Sequence, residues 1–136
     1  DFHYDLVDVK LHQNFFDAGQ AGADYDLSKI FDQTLMQNYP ESAVTFVDNH
    51  DTQRGQALES TVAEWFKPLA YAMILLRQSG LPCVFYGDYM GIQGDFAQES
   101  FQEVIDKLLG PVMKKMMAGH WQLFSLTKTM LASASS

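Results

Sequence analysis

The sequence predicts an α/β fold built on a parallel sheet, and three observations predict it. Short apolar runs at residues 5–12, 43–47 and 83–86 read as strands. Segments with apolar residues at helical spacing lie between and after them, and two of the three runs end abruptly in polar, acidic turns. The order βαβαβα calls for parallel strands, because a parallel neighbour needs a crossover long enough to hold a helix.

Residues 5–12 alternate enough to read as the first strand, with Phe15 and Phe16 extending its apolar content. Gly19 to Asp26 supplies turn residues, after which Leu27, Ile30, Phe31 and Leu35 predict an amphipathic helix over 27–37, ended by Pro40. Residues 43–47 make a buried strand that stops at Asp48, Asn49, His50 and Asp51, which are too polar for a sheet interior. Thr61 and Glu64 have the spacing of a capping box, and residues 65–76 predict a buried helix in which Pro68 implies a kink or a late start. Residues 83–86 are the third strand, turning at Gly87 and Asp88, and Phe101, Val104, Ile105, Leu108 and Leu109 predict the last helix.

Composition narrows the function classes. With 47% apolar, 13% aromatic and 19% charged residues the chain can build a core, and no apolar run reaches the roughly 18 residues of a spanning helix. All 17 carboxylates lie at or before Asp106 against five basic residues, so residues 1–106 carry a net −12, while the four lysines after it give the tail +4. An acidic body repels phosphate backbones, which argues against nucleic-acid binding and leaves neutral or cationic ligands open. Cys83 is the only cysteine, which removes intramolecular disulfides and Cys-rich zinc sites; its apolar neighbours read as core.

Chemistry concentrates at Asp48, Asn49, His50 and Asp51. In a parallel α/β sheet the working groups lie beyond the carboxyl ends of the strands, where this cluster falls. Strand pleating would place Asp48 and His50 on a different face from Asp51. The residues fit three roles: an Asx-type turn that solvates the strand end, a catalytic or binding loop, or a metal site of Asp48, His50 and Asp51. His3, His12 and His120 stand in no motif and read as solvated or hydrogen-bonded.

The segment Phe46-Val-Asp-Asn-His-Asp-Thr-Gln53 resembles the fourth signature region of the α-amylase family of glycoside hydrolases, at the end of the seventh barrel strand. The resemblance continues through Leu58-Glu-Ser-Thr-Val-Ala-Glu-Trp-Phe-Lys-Pro-Leu-Ala-Tyr-Ala72 and Val84-Phe-Tyr-Gly-Asp88, similar to the eighth strand of bacterial liquefying amylases. Val7-Asp-Val-Lys-Leu-His12 is similar to their sixth strand. It implies that residues 1–109 are the last three strands and associated helices of a (β/α)8 TIM barrel. A complete barrel takes roughly 250 residues, so 136 residues can hold only part of one.

By that resemblance Asp51 is the family's third carboxylate, which stabilises an oxocarbenium-like transition state. His50 corresponds to the histidine that binds sugar hydroxyls, and Gln53 to a cleft-lining residue; Tyr86 and Asp88 fall at the cleft edge in structural roles. The implied reaction is endo-hydrolysis of α-1,4-glucosidic bonds in starch or glycogen with retention, which uses a nucleophile and an acid about 5–5.5 Å apart. The family's nucleophilic Asp and acid Glu match no residue here, and Glu41, Glu59 and Glu64 fall in loop or helix positions. The isolated chain is therefore expected to be inactive, with a non-catalytic glucan-binding or assembly fragment as the alternative.

The family's calcium is implied for the parent, with only carbonyls near Ala23 and Tyr25 corresponding to a calcium site in some relatives and no metal ligand set assigned. The expected partners are an α-glucan and, through exposed barrel edges, other copies of the chain, with neither nucleic acid nor membrane. No basic-then-apolar leader opens the sequence, and the expected location is cytoplasmic, a secreted parent being the alternative.

After Leu109 the resemblance stops, and residues 110–136 form an acid-free, Met- and Ser-rich tail expected to be irregular. Back-translation with permissive codons allows a shifted frame whose product resembles sequence around the family's C-terminal β domain, so the tail reads as out-of-frame translation. A basic amphipathic helix around Lys114 and Lys115 is its alternative.

Overall fold

The computed structural model describes residues 5–117, with side chains to residue 110. Strands β1 (Leu6–Val7), β2 (Ala43–Phe46) and β3 (Leu81–Cys83) form a parallel sheet in the order β1-β2-β3, compatible with part of a barrel. Its register pairs Leu6 with Ala43 and Val7 with Val44, then Val44 with Leu81 and Phe46 with Cys83. Among the described residues β1 and β3 each pair only with β2, a position in which β3 tolerates Pro82.

The expected strand over 5–12 is two residues long, and helix α1 (Val9–Ala21) replaces the rest. Asp8 decides the change. Its carboxylate caps α1 by accepting from Leu11 N at 3.1 Å, and it is wholly buried. The same group accepts from Leu35 N at 3.2 Å and Met36 N at 2.8 Å. Leu11, Phe15 and Ala18 form the buried stripe of α1. At Gly19 the helix approaches Ala63 so closely that an added Cβ would stand 3.0 Å from the Ala63 Cβ.

The single helix expected over 27–37 is also absent. A 3₁₀ turn (Leu27–Lys29) and the four-residue helix α2 (Leu35–Asn38) stand in its place, divided at Gln33, whose φ is 62°. Thr34 starts α2 by accepting from Gln37 N, while Asp8 draws in the amides of Leu35 and Met36. Apolar spacing held across that break, but the backbone bonds did not.

Helix α3 (Lys67–Leu75) starts late, with Pro68 in its first turn, as that proline requires. Thr61 and Glu64 form no capping box: the Thr61 hydroxyl donates to Thr52 O, and Glu64 is exposed. The third strand ends earlier than expected, because Phe85 opens the short helix α4 (Tyr86–Met90), whose Asp88 is buried. Cys83 is half-buried rather than sealed in the core.

Helix α5 (Gln102–Met117) follows, broken at Gly110, where φ is 59°. Residues 111–117 are helical, against the irregular tail expected from residue 110; glycine supplies the break and Pro111 suits the first turn beyond it. The rest of the tail, with His3 and His120, lies outside the described residues. The core joins Leu11 and Phe15 of α1 to Phe66, Tyr71 and Ile74 around α3 and to Ile105 of α5. Leu6, Val7 and Val9 are more than half exposed at the β1 side.

Candidate active-site loop

The chain leaves β2 at Phe46 and turns immediately, so pleating does not govern the residues that follow. Asn49 Oδ1 accepts from Asp51 N at 2.9 Å and from Thr52 N at 3.1 Å, which makes the Asx turn anticipated for this cluster. The turn sends Asp48 inward and brings His50 and Asp51 together outside, with His50 Nε2 and Asp51 Oδ2 3.5 Å apart. The His50 side chain is 32% exposed and that of Asp51 56%, so both can meet a ligand.

Asp48 anchors the turn from within. Its Oδ1 accepts from Thr52 Oγ1 at 2.7 Å, and its Oδ2 accepts from Val62 N at 3.0 Å. Burial raises its carboxyl above the usual aspartate range; Lys67 opposes the rise, and the nearby charge of Asp88 adds to it. The Lys67 ammonium, 1% exposed, lies 3.1 Å from Asp48 Oδ2 and donates to Asp88 Oδ1 at 2.5 Å and to Gln98 Oε1 at 2.8 Å. Tyr71 donates to Asp88 Oδ2, and burial together with that carboxylate pushes its phenol well above the ordinary value. This buried cluster ties the loop after β2 to α4 after β3.

His12 completes the surroundings. Its ring stacks on Phe46, with Nδ1 2.6 Å from Val47 O and Nε2 2.9 Å from Ser60 Oγ. Of the two states expected for it, solvated or hydrogen-bonded, it takes the second, and it is buried.

Gln53 lines a cavity of about 250 Å³ with Arg54, Lys67, Phe85, Phe96 and Gln98. His50 and Asp51 are not among the residues lining it, so the loop's predicted residues divide between an exposed pair and a neighbouring polar hollow. Asp48 is committed to Lys67 inside, away from the exposed His50 and Asp51, and among the described residues no group of three or more His, Cys, Asp or Glu could hold a metal ion. At the turn near Ala23 and Tyr25, Asp26 is spent on Ser28, whose amide and hydroxyl it accepts. The described side chains there do not fit a calcium site.

Sequence reasoning missed Lys67 and Tyr71 as partners of the site and gave Asp88 no partner. The available signal was Lys67 itself: a lysine entering an apolar helix needs a buried counter-charge, and acids stand after two of the strands.

A parallel sheet with a partly exposed His and an exposed Asp just beyond its central strand defines an α/β protein with polar groups at the carboxyl ends of the strands, where such folds bind ligands. No protein-family model matches the chain. Individual relatives do. The chain is 55% identical over 98 residues to an alpha-amylase of Bacillus licheniformis, covering 72% of this chain and 19% of that protein. It is 54% identical over 104 residues to an alpha-amylase of Geobacillus stearothermophilus, covering 76% of this chain and 19% of that one. It is 55% identical over 86 residues to the cytoplasmic alpha-amylase of Escherichia coli K12, covering 63% and 17%. The matched part of the chain is thus similar to alpha-amylases, and it spans about a fifth of the length of these relatives.

Proposed function

We propose that residues 1–109 are the last three strands of a (β/α)8 barrel in an enzyme that cleaves internal α-1,4-glucosidic bonds of an α-glucan with retention. The observation that carries this reading is the half-buried His50 beside the exposed Asp51 on a turn locked by Asn49 and by buried Asp48. In this reading the Asp51 carboxylate stabilises positive charge developing at the anomeric carbon. His50 donates to a sugar hydroxyl, and Gln53 contributes a polar wall to the adjoining hollow.

Nucleophile and general acid come from segments that match nothing in these 136 residues, so the chain alone does not turn over substrate. Calcium belongs to other parts of the parent, and the cytoplasm is the proposed location, in keeping with the name of the Escherichia coli relative. The tail from residue 110 is proposed as out-of-frame sequence. The test is Asp51→Asn in a complete enzyme carrying this segment, expected to lower kcat by on the order of 100-fold or more with little change in thermal stability. A loss of kcat under about threefold would remove the assignment.

A second reading, an assembly or glucan-binding fragment, is favoured by the apolar face at β1, where Leu6 is 53%, Val7 52% and Val9 62% exposed. Among the described residues no strand pairs with the outer edge of β1, and an edge of this kind invites self-association. A concentration-independent monomer in sedimentation would count against it.

A further inference from the structure

We infer that His12 is a positioning residue for the loop that carries His50 and Asp51: its imidazole clamps the neck of that loop and so holds Asp51 where the reaction needs it. The role of Asp51 rests on the function proposed above; the clamp rests on hydrogen bonds alone. His12 belongs to α1, outside the loop, and is 2% exposed. Its Nδ1 lies 2.6 Å from Val47 O, where the chain leaves β2, and its Nε2 lies 2.9 Å from Ser60 Oγ, where the chain returns. A carbonyl only accepts, so Nδ1 carries the proton, and Nε2 of the neutral ring accepts from the Ser60 hydroxyl. Asp48 Oδ1 is farther from Nδ1, at 3.8 Å, and accepts from Thr52 instead. Stacking on Phe46, with centroids 5.1 Å apart and planes at 7°, fixes the plane of the ring.

The returning limb, residues 58–60, is what supports Asp51 from behind. Leu58 N donates to Asp51 O at 3.2 Å, and Ser60 N donates to Thr52 O at 3.0 Å. Ser60 Oγ also lies 3.0 Å from Leu58 O, so one hydroxyl bridges the imidazole to the residue whose amide holds Asp51. Burial does little to fix this limb, since Leu58 is 66% exposed and Glu59 is exposed beside it. Among the described residues the buried side chain that bonds to it is His12. A compact surface loop closed at its neck is a common way for a rigid scaffold to present a working residue. A reacting group misplaced by about 1 Å loses on the order of 100-fold in rate, so a ring that never meets the substrate can still set turnover.

The test joins amide hydrogen exchange in the 136-residue chain to kinetics of a complete enzyme carrying this segment. His12→Phe keeps a flat ring against Phe46 and removes both hydrogen bonds. Ser60→Ala removes one of them at a partly exposed residue, and it carries the decision if His12→Phe fails to fold. In either variant the Leu58 and Ser60 amides should exchange about tenfold faster or more, while the Ala70 amide in α3 keeps its rate. Equal acceleration at Ala70, or none at Leu58, overturns the clamp. In the complete enzyme Ser60→Ala should lower kcat per folded molecule about tenfold on soluble starch with KM changed less than about threefold. Ser60→Thr, which keeps the hydroxyl, should restore most of the loss. Fast local exchange with unchanged kcat overturns the positioning role. His12 and Ser60 act through one bond, so the double variant should lose no more than the worse single one, and additive losses overturn the relay. Unchanged exchange in an enzyme that Asp51→Asn inactivates overturns the clamp and leaves the Asp51 assignment standing. Full activity of Asp51→Asn beside a Ser60→Ala that loses kcat removes the role of Asp51 and not the clamp.

Discussion

Replacing Lys67 by Met tests the buried cluster most directly. The ammonium stands 3.1 Å from Asp48 Oδ2 and 2.5 Å from Asp88 Oδ1, with side-chain exposures of 1% for the lysine and 0% for both acids. At an effective dielectric of about 20, each contact is an attraction of roughly 5–7 kcal/mol before desolvation is subtracted. Met fills similar volume but leaves two carboxylates without their cation, and removing one partner of a buried pair costs about 3–5 kcal/mol. With a urea m-value of about 2 kcal/mol/M, the midpoint should fall by about 1.5–2.5 M.

The loss should also depend on pH. Burial already raises the Asp48 carboxyl, and Lys67 is the largest influence opposing that rise, so the variant raises it further. A carboxyl whose folded value lies above its unfolded value of about 3.9 favours the folded state most below that pH. That contribution fades as pH climbs through the folded value. The deficit of Lys67→Met should therefore be smallest near pH 4 and grow toward neutrality in urea titrations followed by circular dichroism. Adding Asp48→Asn and Asp88→Asn should recover much of it. A deficit below about 1 kcal/mol, or one equal at pH 4 and pH 7, would refute the reasoning.

Asp8→Ala strips an acceptor from the amides of Leu11, Leu35 and Met36, and should cost about 2–4 kcal/mol by chemical denaturation, more than loss of an ordinary cap. The Tyr71 phenol is held well above its usual value of 10.0 by burial first and by Asp88 second. Its proton therefore favours the folded state fully below pH 10, and that contribution is lost as pH rises beyond it. Ultraviolet titration should show one tyrosine ionising only with alkaline unfolding, and Tyr71→Phe should remove that phase.

The parts of the fold legible in the sequence are those set by local pattern. Residues 43–47 read as a buried strand because all but Thr45 are apolar, and β2 covers all but the last of them. The helix after Phe101 follows the same logic. The misread elements are those in which one side chain acts at a distance. Alternation over 5–12 cannot reveal that Asp8 accepts amides 27 and 28 residues away, nor that Gln33 takes a positive φ between two apolar turns. The outward half of the polar turn is legible because His50 and Asp51 are neighbours in the chain. Its buried half was not, because Lys67 meets Asp48 and Asp88 only through the packing of α3 against the sheet.

Asp48 and Asp51 show how that division works. They lie three residues apart with identical side chains, yet one is 1% exposed and gives both oxygens to the protein. The other is 56% exposed at the side chain and gives its backbone amide to Asn49, leaving the carboxylate outside. A group that must meet developing charge in a ligand cannot also be spent on Thr52, Val62 and Lys67. A group spent on all three fixes the turn without touching anything that binds there. The same change of acid to amide should thus act on folding at Asp48 and on turnover at Asp51, the first by disturbing the partner of a buried ammonium, the second by removing a charge from an open face.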